Sequence, residues 1–552
     1  MHHNNNCQCN HNGGHQHDHD GRCRKCNKFC KKFECCLEQS QGATPSAWTR
    51  QQAEQIRITS ANAAPIIEEP FEDTAPDLWV WDTWPLREKD GSIAVLPGGW
   101  RVIFSLTAPR SVLPGKRHDI ATIRYFYARD GQDWIPGGVV FPEGDALGSR
   151  QWAGSAFVEN GEIFFFYTAT GRRNEAQVTY EQRMAFAKGE VFSNLNGVLF
   201  NNWEEHSIIL VPDGEFYQTQ EQSSGGIIYS FRDPWYWIDP ESGCEYIIFE
   251  GNTATPQQPI DRECNPENIG DGDFRSGNDV PDGSANFNGN VGVALLQSSD
   301  YREWELLPPI LEADCVNQQL ERPHIVYVGG RYHLFIVSHK FTFAPGLDGP
   351  DGLYGFVAND FRGNYVPLGE GGLVVANPPE EPFQAYSWIV LPDLSTLSFI
   401  NYYNLDGVSL DQLPSLPEQF IFNRFGGTLA PTLQLSINGT ETQIVNELAQ
   451  GLVMESSTES APFTPRCERD GNCGDGHRGR GNNSDEDMEI EEDMMDNGMS
   501  DDGTNGQSSR RVRSGGGQGC HGRHRRDVVC ECEVDRNGNV CTHCNRLRRR
   551  RN

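Results

Sequence analysis

The sequence predicts an all-β fold. Short β-rich runs recur between turn signals over about 400 residues, and many alternate apolar with polar positions or form continuous apolar stretches. No long segment carries the 3.6-residue apolar period of a helix. In chain order the runs begin with GWRVIFSLTA (99–108) and TIRYFYAR (122–129), both rich in β-branched and aromatic residues. EIFFFYTAT (162–170) and QRMAFAKG (182–189) follow, the first almost wholly apolar and therefore suited to burial on both faces. EYIIFEGNT (245–253) and NVGVALLQ (290–297) flank an insert rich in Pro, Asp and Asn. HIVYVGGRYHLFIVSH (324–339) reads as a hairpin turning on Gly329 and Gly330, and LYGFVAND (353–360) succeeds it. STLSFINYY (395–403) and GTLAPTLQLSI (427–437) complete the series. The exception is TPSAWTRQQAEQIRITSANAA (44–64), which suggests a short amino-terminal helix. Strand pairs at this density fit radial repetition, as in a propeller, better than a single sandwich.

Composition divides the chain into three. Residues 1–45 are polar and rich in Cys and His, 46–455 hold the β-rich runs, and 456–552 pass from Gly/Asn/Arg through the acidic SDEDMEIEEDMMD to RLRRRRN. The two ends bury too little apolar surface to offset chain entropy and are expected to be disordered tails. Formal net charge is −31, and residues 46–458 carry nearly all of the excess, with about 24 Lys and Arg against about 55 Asp and Glu. That balance excludes nucleic acid as the main partner, because phosphate binding needs a basic face. No apolar run is long enough to span a bilayer, and the opening MHHNNNCQCNHNGG lacks the apolar core of a secretory leader. The expectation is export without such a leader, or placement at a cell or spore surface.

Three carboxylates stand in unusual surroundings. Asp82 lies in DLWVWDTWPL between Trp81 and Trp84, where aromatic walls would suit a sugar ring, although an Asp capping a strand end fits the pattern as well. Asp233 lies in SFRDPWYW, with Arg232 able to fix a carboxylate or a hydroxyl; an ordinary Arg-Asp turn before Pro234 is the alternative. Glu321 lies in NQQLERPHIVYV beside Arg322, which would lower its pKa where an acid catalyst needs it raised. Retaining cleavage of a glycosidic bond takes two such groups, one as nucleophile and one as acid and then base.

Taken in order, VWDTWP, WAGSAF, FRDPW, ERPH, SHKFTFAPGLDGPDGLYGF and GGTLAPT resemble glycoside hydrolase family 68, the levansucrases and inulosucrases, over roughly residues 70–435. The resemblance implies a five-bladed β-propeller with a central funnel, acting on sucrose and on fructan acceptors. It implies Asp82 as nucleophile, Asp233 as stabiliser of the transition state through the fructosyl hydroxyls, and Glu321 as acid/base. Trp81 and Trp152 would wall the fructosyl pocket, with Arg232, Gln319, Arg322, His339 and Tyr386 as polar contacts. The stretch SHKFTFAPGLDGPDGLYGF resembles the Gram-negative levansucrases and implies β-2,6 linkage. An inulosucrase or an invertase-like hydrolase would use the same acids; a non-catalytic carbohydrate-binding or coat-structural propeller would have no reason to keep all three. Two departures bear on the site. Trp388 stands where many relatives carry His after Tyr-Ser, and Gln318 stands where calcium-binding relatives carry Asp. Three carboxyl groups need no metal or other cofactor, and a structural calcium is doubtful.

Of 17 cysteines only Cys244, Cys264 and Cys315 lie between the ends. Cys244 and Cys264 bracket the Pro/Asp/Asn-rich insert, a placement that allows them to pair and leave Cys315 buried and free, but the spacing does not fix the connectivity. In the ends, Cys23 and Cys26 form C-x2-C, and Cys530, Cys532, Cys541 and Cys544 read C-x-C-x8-C-x2-C. Zinc binding, disulfide cross-linking into a surface or spore-coat layer, and reduced thiols without a role in catalysis all fit these spacings.

Overall fold

The computed structural model describes residues 36–37, 43–223, 226–254 and 263–454, and the backbone of two strands at 528–534 and 540–546. Among the described residues the strands from Leu78 to Gln450 form five antiparallel blades, each laid down consecutively along the chain. Blade I comprises Leu78–Glu88, Arg101–Pro109, Thr122–Ala128 and Ile135–Val139. In blade II, Arg150–Glu159 pairs with Glu162–Thr170 and that with Gln182–Asn194, which carries both Gly197–Asn201 and Ser207–Leu210. Blade III runs Phe231–Ile238, Glu245–Asn252, Asn288–Leu296 and Trp304–Asp314, with Ser46–Ala47 added in parallel at its outer edge. Blade IV starts with Glu321–Val328 and continues through Arg331–Ser338 to Gly352–Ala358, which pairs with Val366–Pro367 and Leu373–Ala376. Blade V starts with Ala385–Val390, pairs it with Ser395–Tyr402, and ends in Pro431–Asn438 and Glu441–Gln450, with Phe425–Leu429 also on Ser395–Tyr402.

The first strand of each blade is the innermost, and these five strands neighbour one another in order until the fifth returns to the first. Between blades I and II the contact becomes true parallel pairing, Leu86–Glu88 against Ala156–Val158. All five lose register at one place, between Trp81 and Trp84, Trp152 and Gly154, Arg232 and Trp235, Glu321 and His324, and Tyr386 and Ile389. In four of these bulges a non-glycine residue takes positive φ: Asp82 at 47°, Asp233 at 60°, Arg322 at 49° and Ser387 at 61°. A bulge re-aims side chains that the pleat would otherwise alternate, and left-handed backbone at such residues is strained. The strain is concentrated where the propeller axis is approached.

The segment before blade I closes the ring from one side. Trp48 is fully buried among the rings of Phe343, Tyr354 and Phe356, the Ala64 amide donates to Ala376, and the Thr74 amide donates to the Thr428 hydroxyl. From the other side the Val453 amide donates to Gly131 and the Trp134 indole to Gly451, so the end of blade V is fastened to blade I. The expected helix over 44–64 shrinks to one turn, Arg50–Ala53, capped reciprocally by Thr49 and Gln52. Tertiary contacts override local propensity there: the Arg50 guanidinium donates to the carbonyls of Cys315 and Pro345.

The pairing of Cys244 with Cys264 that the spacing allows is not the one formed. Disulfides join Cys36 to Cys244 and Cys264 to Cys315. Cys244 precedes the strand Glu245–Asn252, whose eight residues span about 26 Å, and the insert leaves from its far end. Cys315 follows the strand Trp304–Asp314, which finishes beside that far end, where Asn288 opposes Asp314 and Gly289 opposes Asn252. Cys264 therefore meets Cys315, while Cys244 takes Cys36, a buried residue within the segment expected to be a tail.

Residues 476–552 form a separate unit, in which Val528–Val534 and Val540–Arg546 pair antiparallel with Cys530 opposite Cys544. The side chains of the carboxyl-terminal cysteines, and the Cys23–Cys26 pair, lie outside the described residues. No described helix is long and apolar enough to cross a membrane.

Candidate active site

The bulges place the acids together. Asp82 comes from blade I, Asp233 from blade III and Glu321 from the first position of blade IV, and the three act on one another electrostatically. Asp233 is buried, Glu321 keeps a fifth of its side chain exposed, and Asp82 is partly exposed. Burial raises the Asp82 pKa against the opposing pull of Arg322 and a hydrogen bond from Ser387, and the nearby Glu321 charge raises it further. Asp233 is pushed up to about 6, chiefly by burial, with Arg232 opposing and Asp82 and Glu321 adding to the rise.

Two arginines hold this negative cluster. Arg232 sits between two carboxylates: its Nε lies 2.7 Å from Glu250 Oε2, and its Nη2 lies 3.1 Å from both Glu250 Oε1 and Glu321 Oε1. Burial works against its charge, yet Glu250, Glu321 and Asp233 more than offset that, and its pKa ends above the ordinary arginine value. Glu250 is fully buried, and burial pushes its carboxyl well up despite Arg232. Arg322 acts through geometry. Its backbone amide donates to Asp233 Oδ2 at 3.2 Å, Nη1 donates to the Ser387 carbonyl and hydroxyl, and Nη2 donates to the Thr83 carbonyl at 2.7 Å. One side chain thereby ties the bulges of blades I and V to that of blade IV. Behind it, the buried His324 accepts the Val390 amide at Nε2 and faces the Arg322 carbonyl with Nδ1 at 2.8 Å, which requires the Nδ1–H tautomer. Burial lowers its pKa to about 3, so the ring stays neutral.

Tyr386 donates its hydroxyl to Glu321 Oε2 at 2.5 Å, and burial followed by the Glu321 charge drives its own pKa well up. His339 lies flat on Tyr386, ring centroids 3.7 Å apart at 7°, with Nδ1 2.9 Å from Asp351 Oδ2. Burial opposes a charged His339, but Asp351 outweighs it and the pKa is raised. Trp81 is fully buried and Trp152 nearly so, and the Trp152 indole donates to the His118 carbonyl at 3.0 Å. Gln319 is buried with its amide 3.4 Å from the Ile228 carbonyl, a contact with the loop before blade III and the least direct of the expected polar contacts. Gln318 spends its side-chain oxygen on the Asn288 amide, and Trp388 is fully buried beside Tyr386, so both departures are occupied in packing.

Sequence reasoning missed several neighbours. The 3-10 turn Pro114–Ile120, between the second and third strands of blade I, brings Arg117 over the Trp81 ring at 5.2 Å and the His118 ring to 5.3 Å from Trp81. Burial, then the Arg117 and Arg232 charges, holds His118 well below the usual histidine range. The run PGKRHDI was a visible cluster of polar groups, but nothing in its spacing ties it to Asp82. Glu250, inside the apolar run EYIIFEGNT, was the readable signal: a carboxylate at a position meant for burial needs a cation, and Arg232 is that cation.

The arrangement brings three carboxyl groups together, one of them held between two donors, with the buried rings of Trp81 and Trp152 nearby. Residues 37–454 match the family described as levansucrase/invertase. A levansucrase of Rahnella aquatilis is 36% identical over 434 residues, which cover 74% of this chain and 96% of the relative. An extracellular sucrase of Zymomonas mobilis is 36% identical over 405 residues, 72% of this chain and 92% of that protein. Among solved structures, an inulosucrase from Halalkalicoccus jeotgali bound to kestose superposes with a TM-score of 0.69 at 48% identity, covering 76% of this chain and all of that one.

Proposed function

The chain belongs to the levansucrase/invertase family, glycoside hydrolase family 68, and from that premise we infer how its residues work. It is a sucrose fructosyltransferase of the levansucrase kind, transferring fructosyl units to a growing β-2,6 fructan or to water and releasing glucose. The observation that carries the residue roles is the convergence of Asp82, Asp233 and Glu321 at the bulges of the inner strands of blades I, III and IV.

Asp82 attacks the anomeric C2 of the fructosyl unit, and the bond from C2 to the bridging oxygen breaks. Glu321 delivers its proton to that oxygen, glucose leaves, and a fructosyl ester of Asp82 remains. An acceptor hydroxyl then gives its proton to the Glu321 carboxylate while its oxygen bonds to C2, and Asp82 departs as the carboxylate. Asp233 accepts hydrogen bonds from fructosyl hydroxyls as positive charge develops at C2. In the free site Glu321 accepts hydrogen bonds from Arg232 and Tyr386, which fix its carboxyl group in place. Arg232, Arg322 and His339 orient the acids and the sugar, and Trp81 and Trp152 wall the fructosyl unit. The chemistry uses no metal: a structural calcium is not part of this reading, since Gln318 gives a neutral amide already engaged with backbone.

The extracellular setting named for the Zymomonas mobilis relative supports a secreted or extracellular enzyme. Tethering to a cell or spore surface through the cysteine-rich ends is our finer proposal, supported by their composition alone.

The test is incubation of the full chain with sucrose, following glucose and fructose separately, with Asp82→Ala alongside. Glucose in excess of fructose, abolished in the variant, together with β-2,6 linkages in the polymer by NMR, is the expected result. Equal glucose and fructose would identify a hydrolase, β-2,1 linkages an inulosucrase, and no glucose from folded protein would remove the enzymatic reading.

A further inference from the structure

Phe341 is a large apolar ring left 59% exposed in an otherwise well-anchored turn. On one side His339 is fixed by Asp351, which also accepts the Lys340 amide at 2.7 Å. On the other, Thr342 is fully buried, its hydroxyl donates to the His339 carbonyl, and its own carbonyl accepts the Gln318 amide. Phe343 and Ala344 are buried as well. With both flanks pinned, the outward direction of Phe341 is built into the turn.

What it faces gives the exposure a use. The Phe341 ring lies 5.0 Å from His339 at an interplanar angle of 20°, and His339 lies on Tyr386 at 3.7 Å and 7°. Tyr386 in turn donates to Glu321. Three near-parallel rings therefore lead from the group that deprotonates the acceptor out to solvent, and the outermost presents a bare face. Aromatic faces receive the C–H faces of sugar rings, and an exposed one at the mouth of a sugar site is placed to do so.

We propose that Phe341 is a platform for the acceptor, on which an inner unit of a fructan chain rests so that the hydroxyl of the chain's terminal unit, and not a water, gives its proton to Glu321. The bonds are those of the second step above: the acceptor O–H breaks toward Glu321, its oxygen joins C2, and the ester to Asp82 opens. Phe341 itself exchanges no proton. It sets the partition between transfer and hydrolysis, a property separate from sucrose cleavage, and the inference rests on the fructosyl-transfer reading.

The experiment compares the full chain with its Phe341→Ala and Phe341→Tyr variants at saturating sucrose, measuring the transfer-to-hydrolysis ratio per glucose released. Normalising to glucose cancels any change in overall turnover. Loss of the platform lowers the ratio about threefold to tenfold in Phe341→Ala, the range of one aromatic stacking contact, and Phe341→Tyr restores it. Asp348→Asn, an exposed position in the following loop, serves as the control and leaves the ratio alone. An unchanged ratio in Phe341→Ala, or an equal fall in Asp348→Asn, overturns the proposal. Absence of glucose release from the parent chain would instead defeat the fructosyl-transfer reading itself.

Discussion

Asp233 shows what the site demands of a single residue. Its pKa of about 6 lies above the ordinary value of 3.8, and burial is the main cause. An acid whose folded pKa is raised binds more protons folded than unfolded between those two values, so its contribution to stability falls as pH climbs from about 4 to about 6 and stays lost above. The ionised carboxylate is therefore a destabilising element near neutrality, by up to about 3 kcal/mol for a shift of this size. Asp233→Asn, which keeps the shape and removes the charge, is expected to raise the melting temperature at pH 7 and to lose that gain below about pH 4, while sucrose cleavage falls steeply. A melting curve across pH for variant and parent checks this; an Asn variant less stable than the parent at pH 7 would show that the carboxylate is favourably solvated. Arg232 is the counterpart, because replacing it would leave Glu250 buried without its cation.

At the scale of the element, the recurring device is an inner strand that bulges and turns left-handed at Asp82, Asp233, Arg322 and Ser387. The acids were legible as candidates in the sequence, standing in Trp-Asp, Arg-Asp-Pro and Glu-Arg-Pro, but the local patterns alone left their roles open until the motifs were taken in order. Their convergence was not legible, since it depends on strands separated by 89 to 239 residues meeting through Arg322, as its bonds to Asp233 and Thr83 show. The strands themselves were readable from alternation and turn residues. The short helix within 44–64 is present but limited to Arg50–Ala53, because buried contacts of Trp48 and Arg50 outweigh the local pattern. The cysteine pairing was not legible for a related reason: proximity along the chain does not show which end of a strand each residue occupies. The Cys264–Cys315 bond fastens the insert to the turn that leads into Glu321, with Cys315 itself at φ 67°. Replacing both cysteines by Ser is expected to lower stability by about 2–4 kcal/mol, read by denaturant titration, with activity declining before global unfolding. An unchanged midpoint would mean that the insert is held by its other contacts.

Across the whole molecule, closure and charge matter together. The ring is fastened by the segment before blade I against blades IV and V and by Val453 against blade I, so the five blades share one closed set of inner contacts. The charge of −31 falls largely on this closed body and repels itself. Added salt screens that repulsion, with a Debye length of about 10 Å at 0.1 M and about 3 Å at 1 M, and is expected to raise the melting temperature between those concentrations. A decrease would point to ion pairs such as Arg232 with Glu250 and Glu321 as the dominant electrostatic contribution. Substrates are neutral sugars, so the acidic surface bears on the stability of the body and not on their capture.

The central claim is that Asp82 carries the fructosyl unit between donor and acceptor. The most direct measurement is rapid acid quenching of the enzyme during turnover of sucrose, followed by peptide mass analysis. A hexosyl increment confined to the peptide containing Asp82, and absent from Asp82→Asn, is the result this account predicts. The same increment on Asp233 or Glu321, or none from an enzyme that releases glucose and builds polymer under the same conditions, would contradict it.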